Sequence, residues 1–94
     1  IRLQRAADLL RQQLAQQPRT KEGGFWHKKR YPNQMWLDGL YMAEPFYAEY
    51  SRLFKQPDAF DDVANQFVWM EQHARDPKTG LLYHGWDESR EQKW

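Results

Sequence analysis

Between Asp58 and Ala74 the apolar residues Phe60, Val63, Ala64, Phe67, Met70 and Ala74 recur at intervals of three or four, with polar residues between them. Side chains spaced this way share one side of a 3.6-residue turn, so the stretch hides its apolar surface only as an amphipathic helix packed on a neighbour. The same rhythm at Leu3, Ala7, Leu10 and Leu14 predicts a first helix running to about Gln17, where Pro18 stops it. A middle helix is predicted from Asn33, as its cap, to about Phe54. Its apolar stripe would be Leu37, Leu40, Tyr41, Tyr47, Tyr50 and Leu53, with a kink at Pro45.

From Arg19 to Pro32 no period survives, and Gly23-Gly24 permits backbone angles that other residues resist. Loops this long inside compact domains are usually functional. Asp76-Pro77-Lys78-Thr79-Gly80 reads as a tight turn, followed by a short extended piece from Leu81 to Trp86. The layout is helix, long loop, helix, tight link, helix and β-like turn. It suggests an all-α toroid of helical hairpins with its working loops on one rim.

Ninety-four residues allow at most one small domain, and the chain has no cysteine, which rules out disulfides without fixing a compartment. A net charge of +1, with a basic cluster confined to residues 27–30, gives little support to a nucleic-acid partner. No apolar run approaches the roughly 20 residues that span a bilayer, so a soluble protein without a membrane partner is expected. Mean hydropathy is −1.06 although 16% of the residues are aromatic. Large flat side chains in an otherwise polar chain suit a surface that stacks on a ligand. Starting inside a running helix and stopping after a turn, the chain reads as a piece of a longer protein.

His27, His73 and His84 are too scattered for a metal motif, and His73 reads as a surface or core histidine. Ser51 and Ser89 lie in no nucleophile elbow, and no phosphate-binding glycine loop is present. What remains is Asp38, central among eight aromatic residues between Phe25 and Tyr50. Either it faces water beside a packing seam, or it is a partly buried acid able to donate a proton. Tyr41 and Met42, one turn on, are uncharged and favour the second. Asp58, Asp61 and Asp62 read as charges at a helix start. Glu44, Glu49 and Glu71 read as solvated.

The stretch GGFWHKKRYPNQMWLDGLYMAEPFYAEY, followed by DPKTGLLYHGWDES, resembles glycoside hydrolase family 105, the unsaturated rhamnogalacturonyl hydrolases. The resemblance implies an (α/α)6 barrel, of which residues 1–94 would be an internal slice of the single catalytic domain, the long loop and the β-like turn lying on the active-site rim. It implies hydration of the C4=C5 double bond of unsaturated galacturonyl residues on pectin oligosaccharides left by lyases, releasing the partner sugar. Asp38 aligns with the family's general acid/base. Lys28 and His84 would hold the uronate, and Trp36 or Trp86 would stack on a sugar face, with core packing the first reading for Trp36. Trp36, Tyr41 and Met42 are expected to desolvate Asp38 and favour its protonated form. No metal or organic cofactor is implied. The partners would be the oligosaccharide and the remainder of the barrel, and the location a bacterial cytoplasm or periplasm. An unsaturated glucuronyl hydrolase acting on glycosaminoglycan fragments, or a non-catalytic saccharide-binding toroid, is the alternative.

Overall fold

The computed structural model describes residues 2–94. Its elements, in order, are α1 (Arg2–Gln16), β1 (Gln34–Trp36), α2 (Leu37–Leu53), α3 (Asp58–Ala74) and β2 (Gly85–Asp87). The two strands pair antiparallel, Gln34 opposite Asp87, Met35 opposite Trp86 and Trp36 opposite Gly85. The outer helices end within a residue of where periodicity and proline place them. Among the described residues no helix is long and apolar enough to cross a membrane.

The middle helix is corrected at its start. Asn33 does not cap it but sits at φ 66°, in the left-handed region that asparagine tolerates. That turn sends residues 34–36 into the ribbon, and α2 begins only at Leu37. The helix then runs through Pro45 to Leu53 without a break in its assignment. Its buried residues are Glu44, Tyr47 and Ser51, while Tyr41 is 84% exposed. Of the expected stripe, Tyr47 is buried and Leu37 and Leu40 pack on a core, whereas Tyr41 and Leu53 face solvent.

α2 and α3, joined through residues 54–57, pack against each other and carry two cores. One gathers Phe25, Tyr47 and Ala59, with Leu14 and Val63 against them. The other gathers Met35, Met70 and Ala74, with Leu37, Leu40, Trp69 and Trp86. α3 buries Ala59, Gln66, Met70 and Ala74 and leaves Phe60, Phe67 and Val68 about half exposed. α1 has no buried residue, and Leu3, Leu9 and Leu10 stay uncovered. A helix apolar on more than one side is built to be covered on more than one side.

The long loop is tied down throughout. The Thr20 N–H donates to the Gly24 carbonyl at 2.7 Å, and the Gly24 N–H to Thr20 Oγ1 at 2.9 Å. A Cβ on Gly24 would stand 2.3 Å from Met35 Sδ, so a larger residue here would have to push the Met35 side chain aside. Arg19 grips Asp62 through both guanidinium nitrogens, at 2.9 and 2.8 Å. Asp62 is thus an ion-pair partner rather than a helix-start charge. Tyr47 and Gln66 also donate to it, at 2.7 and 3.0 Å. Burial works against its charge, but these hydrogen bonds outweigh it and hold the carboxyl below the usual range.

Candidate functional site

The site forms where the ribbon runs into α2. One step beyond the last strand pair, the Leu37 N–H donates to the His84 carbonyl at 2.9 Å. This bond fixes the backbone of His84 beside the first turn of α2. Asp38 is the next residue, and its Oδ1 lies 3.5 Å from His84 Nε2, both side chains being half exposed. The first turn is where a carboxylate complements the positive end of the helix. The expected apolar surround is missing, because Tyr41 and Met42 project into solvent.

Trp36 forms the wall of this corner. The His84 ring is tilted against it with centroids 4.8 Å apart, and the His27 ring stacks on it at 4.3 Å and 8°. Tyr31 stacks on it at 5.2 Å. His27 is held there by its N–H, which donates to the Gln34 carbonyl at 2.7 Å. Its Nδ1 is buried without a partner and lies against Gly39, where an added Cβ would approach to 3.4 Å. Burial lowers the His27 pKa and outweighs the opposing pull of Asp38, with Lys28 and His84 adding to the lowering. His27 is therefore a neutral ring on this wall near neutral pH. Lys28, next in the loop, is exposed.

An open cleft of ≈ 460 Å³ lies beside this corner, between α1, the loop and α2. His27, Lys28 and Trp36 line it together with Leu14, Leu40, Phe46 and Glu44, whereas Asp38 and His84 lie outside its lining. Glu44 is corrected most. It is 3% exposed rather than solvated, its Oε1 has no partner, and burial, aided by Asp62 and opposed by Arg19, pushes its pKa up to about 7.

Of the residues singled out in the sequence, His84 meets both Asp38 and Trp36, and Lys28 lines the neighbouring cleft. Trp86 does not join them. It opposes Met35, and neighbouring pairs of a ribbon point to opposite faces, so it lies on the side away from Trp36. There it packs with Met70 and Ala74 and stacks on His73, at 3.8 Å and 8°. His27 and Glu44 were missed. His27 adjoins Lys28 and could have been included on that ground. Glu44 shares a helical face with Tyr47 and Ser51, a signal hidden because the apolar pattern groups Tyr47 with the exposed Tyr41 and Leu53.

The family profile described as Glycosyl Hydrolase Family 88 matches residues 2–94. The chain is 35% identical over 92 residues to the unsaturated rhamnogalacturonyl hydrolase YesR of Bacillus subtilis (strain 168), a match covering 93% of this chain and 27% of that protein. A solved family 105 glycoside hydrolase from C. acetobutylicum superposes with a TM-score of 0.91 and 50% identity, over 97% of this chain and 25% of that one. A possible member of family 105 from Klebsiella pneumoniae superposes at 0.75 with 30% identity, over 92% and 23%. The chain spans about a quarter of the length of the relatives it matches. Its helices and ribbon are a portion of the (α/α)6 architecture, as the resemblance implied.

Proposed function

The chain belongs to glycosyl hydrolase family 88, and from that premise we propose that it carries the proton-transferring acid of an enzyme acting on unsaturated galacturonyl residues of rhamnogalacturonan oligosaccharides. The observation that carries this reading is the meeting of Asp38 and His84 at 3.5 Å beside the Trp36 ring. A carboxyl, an imidazole and a flat wall are what a uronate ring needs for proton transfer, hydrogen bonding and stacking. The printed name of the B. subtilis relative supports the choice of sugar.

In this reading Asp38 gives its proton to C4, and the C4=C5 electron pair forms the new C–H bond. Positive charge develops at C5 and is shared by the ring oxygen. Water adds at C5 and loses a proton to the Asp38 carboxylate, which regenerates the acid. The resulting hemiketal opens to a C5 ketone, and C1, now an open hemiacetal, releases the partner sugar. One carboxyl serves both steps, so the flanking pair of ordinary glycosidases is not required. The Lys28 ammonium suits the uronate carboxylate. His84 orients the Asp38 carboxyl and the sugar. Since Tyr41 and Met42 leave Asp38 open, the bound sugar itself would exclude water from it. The remainder of the barrel would supply the other pocket residues.

The test uses the full-length polypeptide and lyase-digested rhamnogalacturonan. Loss of the unsaturated-uronate absorbance, with ¹⁸O from labelled water appearing in the C5 ketone, is expected. Turnover only of glycosaminoglycan-derived unsaturated disaccharides would transfer the activity to glucuronyl substrates. Binding without any absorbance change would leave a saccharide-binding module.

A further inference from the structure

We propose that His73, clamped between Glu22 and Trp86, is a positioning residue that sets the loop carrying His27 and Lys28 against the Asp38 corner. The proposal rests on the function proposed above. His73 lies in the last turn of α3, Glu22 at the tip of the long loop and Trp86 on β2. His73 Nε2 is 2.5 Å from Glu22 Oε1, and its ring lies flat on Trp86 at 3.8 Å. The face and the edge of one imidazole therefore join three separate segments.

The path from this clamp to the site is short. Trp86 pairs with Met35, and Trp36, on the opposite face of the same ribbon, is the wall of the site. From Glu22 the chain passes through Gly23, at φ 120°, and Gly24 to reach Phe25, Trp26 and His27. Two successive glycines transmit little stiffness of their own, so their direction is set by what holds them: Thr20 on the Gly24 N–H and carbonyl, Arg19 and Gln66 on the Gly23 carbonyl, and Glu22 at the tip. Glu22 is held by His73, the Lys21 N–H donates to Glu88 at 3.0 Å, and Arg19 is anchored on Asp62. Beyond the glycines, the Phe25 N–H donates to Gln66 Oε1 at 2.9 Å and the His27 N–H to the ribbon. With the Glu22 anchor released, residues 23–28 keep these bonds but lose the tie between the loop tip and the end of α3 beside Trp86. A partly exposed hydrogen bond of this kind stabilises a fold little. Its effect is expected on the placement of Lys28 and His27 rather than on folding.

In the full-length enzyme, Glu22→Ala and His73→Phe test the clamp, the latter keeping a flat ring on Trp86 while removing Nε2. Each is expected to raise KM for an unsaturated disaccharide roughly 5-fold, about the most that such a pair is worth, with kcat and melting temperature near wild type. Glu22→Gln, which keeps an acceptor for Nε2, is expected to restore KM. Amide exchange over residues 23–27 should quicken in Glu22→Ala and His73→Phe and not in Glu22→Gln. Unchanged exchange, or a joint fall in kcat and melting temperature at constant KM, overturns the proposal. Should the wild-type enzyme turn over no unsaturated uronide, the proposed function fails, whereas the exchange measurement still decides the clamp.

Discussion

Asp38 and Glu44 leave the same helix about 9 Å apart along its axis, and they exchange the roles that their surroundings in the sequence suggest. Asp38, among aromatic and apolar neighbours, is half exposed and faces an imidazole. Glu44, expected in water, is buried with an unpartnered oxygen and a pKa of about 7. Asp62 is a third case, a carboxylate largely buried with four donors on its two oxygens. Apolar neighbours along a helix thus do not make an apolar surround in space. Nor is the most perturbed carboxyl the one best placed to react. On the proposed function, reactivity goes with an accessible acid whose partner is loose, and structure with an acid whose partners are complete.

The sharpest way to break this comparison is Asp38→Asn, which keeps the shape and loses the proton. It should lower turnover of an unsaturated galacturonyl disaccharide by at least roughly 10² to 10⁴. Near-normal turnover would return Asp38 to an ordinary exposed helix position. Next comes Asp62→Ala, which leaves Arg19, Tyr47 and Gln66 without their shared acceptor. A loss of about 2–4 kcal/mol in denaturant unfolding is expected. A negligible loss would mean that completed partners do not mark the structural acid.

His84→Ala and Lys28→Ala should weaken substrate binding and slow turnover by less than Asp38→Asn does, because in the proposed mechanism they hold the sugar and do not move the essential proton. Steady-state kinetics on one disaccharide decides this, and an inactive His84→Ala beside an active Asp38→Asn would invert the assignment. The smallest effect is expected from Glu44→Gln. Unfolded, the Glu44 carboxyl ionises near its ordinary 4.5, and folded it keeps its proton to about 7. Between those values the folded state binds more protons, so the contribution of Glu44 to stability falls as pH rises through that window and stays low above it. Glu44→Gln should therefore melt a few degrees above the parent at pH 8, with the gap closing below pH 4.5. Parallel melting curves across that range would show that burial does not set the state of Glu44.

Much of the fold was legible because helix period, proline stops and turn residues act over a few positions. Leu3, Ala7, Leu10 and Leu14 marked α1, the spacing from Phe60 to Ala74 marked α3, and Gly80, at φ 75°, ends the turn that Asp76 opens. Asp38 and His84 were legible as a pair only through the two resembling blocks. The start of α2 was not legible, because Gln34-Met35-Trp36 looks like the head of an apolar helix until Gly85-Trp86-Asp87 pairs with it. The place of Trp86 followed from the same unseen register.

Three helices, a glycine loop and a turn can be read from the amino-acid order alone, since each is decided by residues within about one helical turn of one another. Which side of each helix is buried, and which acid meets a histidine, depends on how those pieces pack. The bond from Leu37 to His84, the pairing of Met35 with Trp86 and the grip of Arg19 on Asp62 join segments distant along the chain. Hydrogen bonds between such segments shift the helix start, and with it the face every later residue of α2 presents, and no local pattern records them.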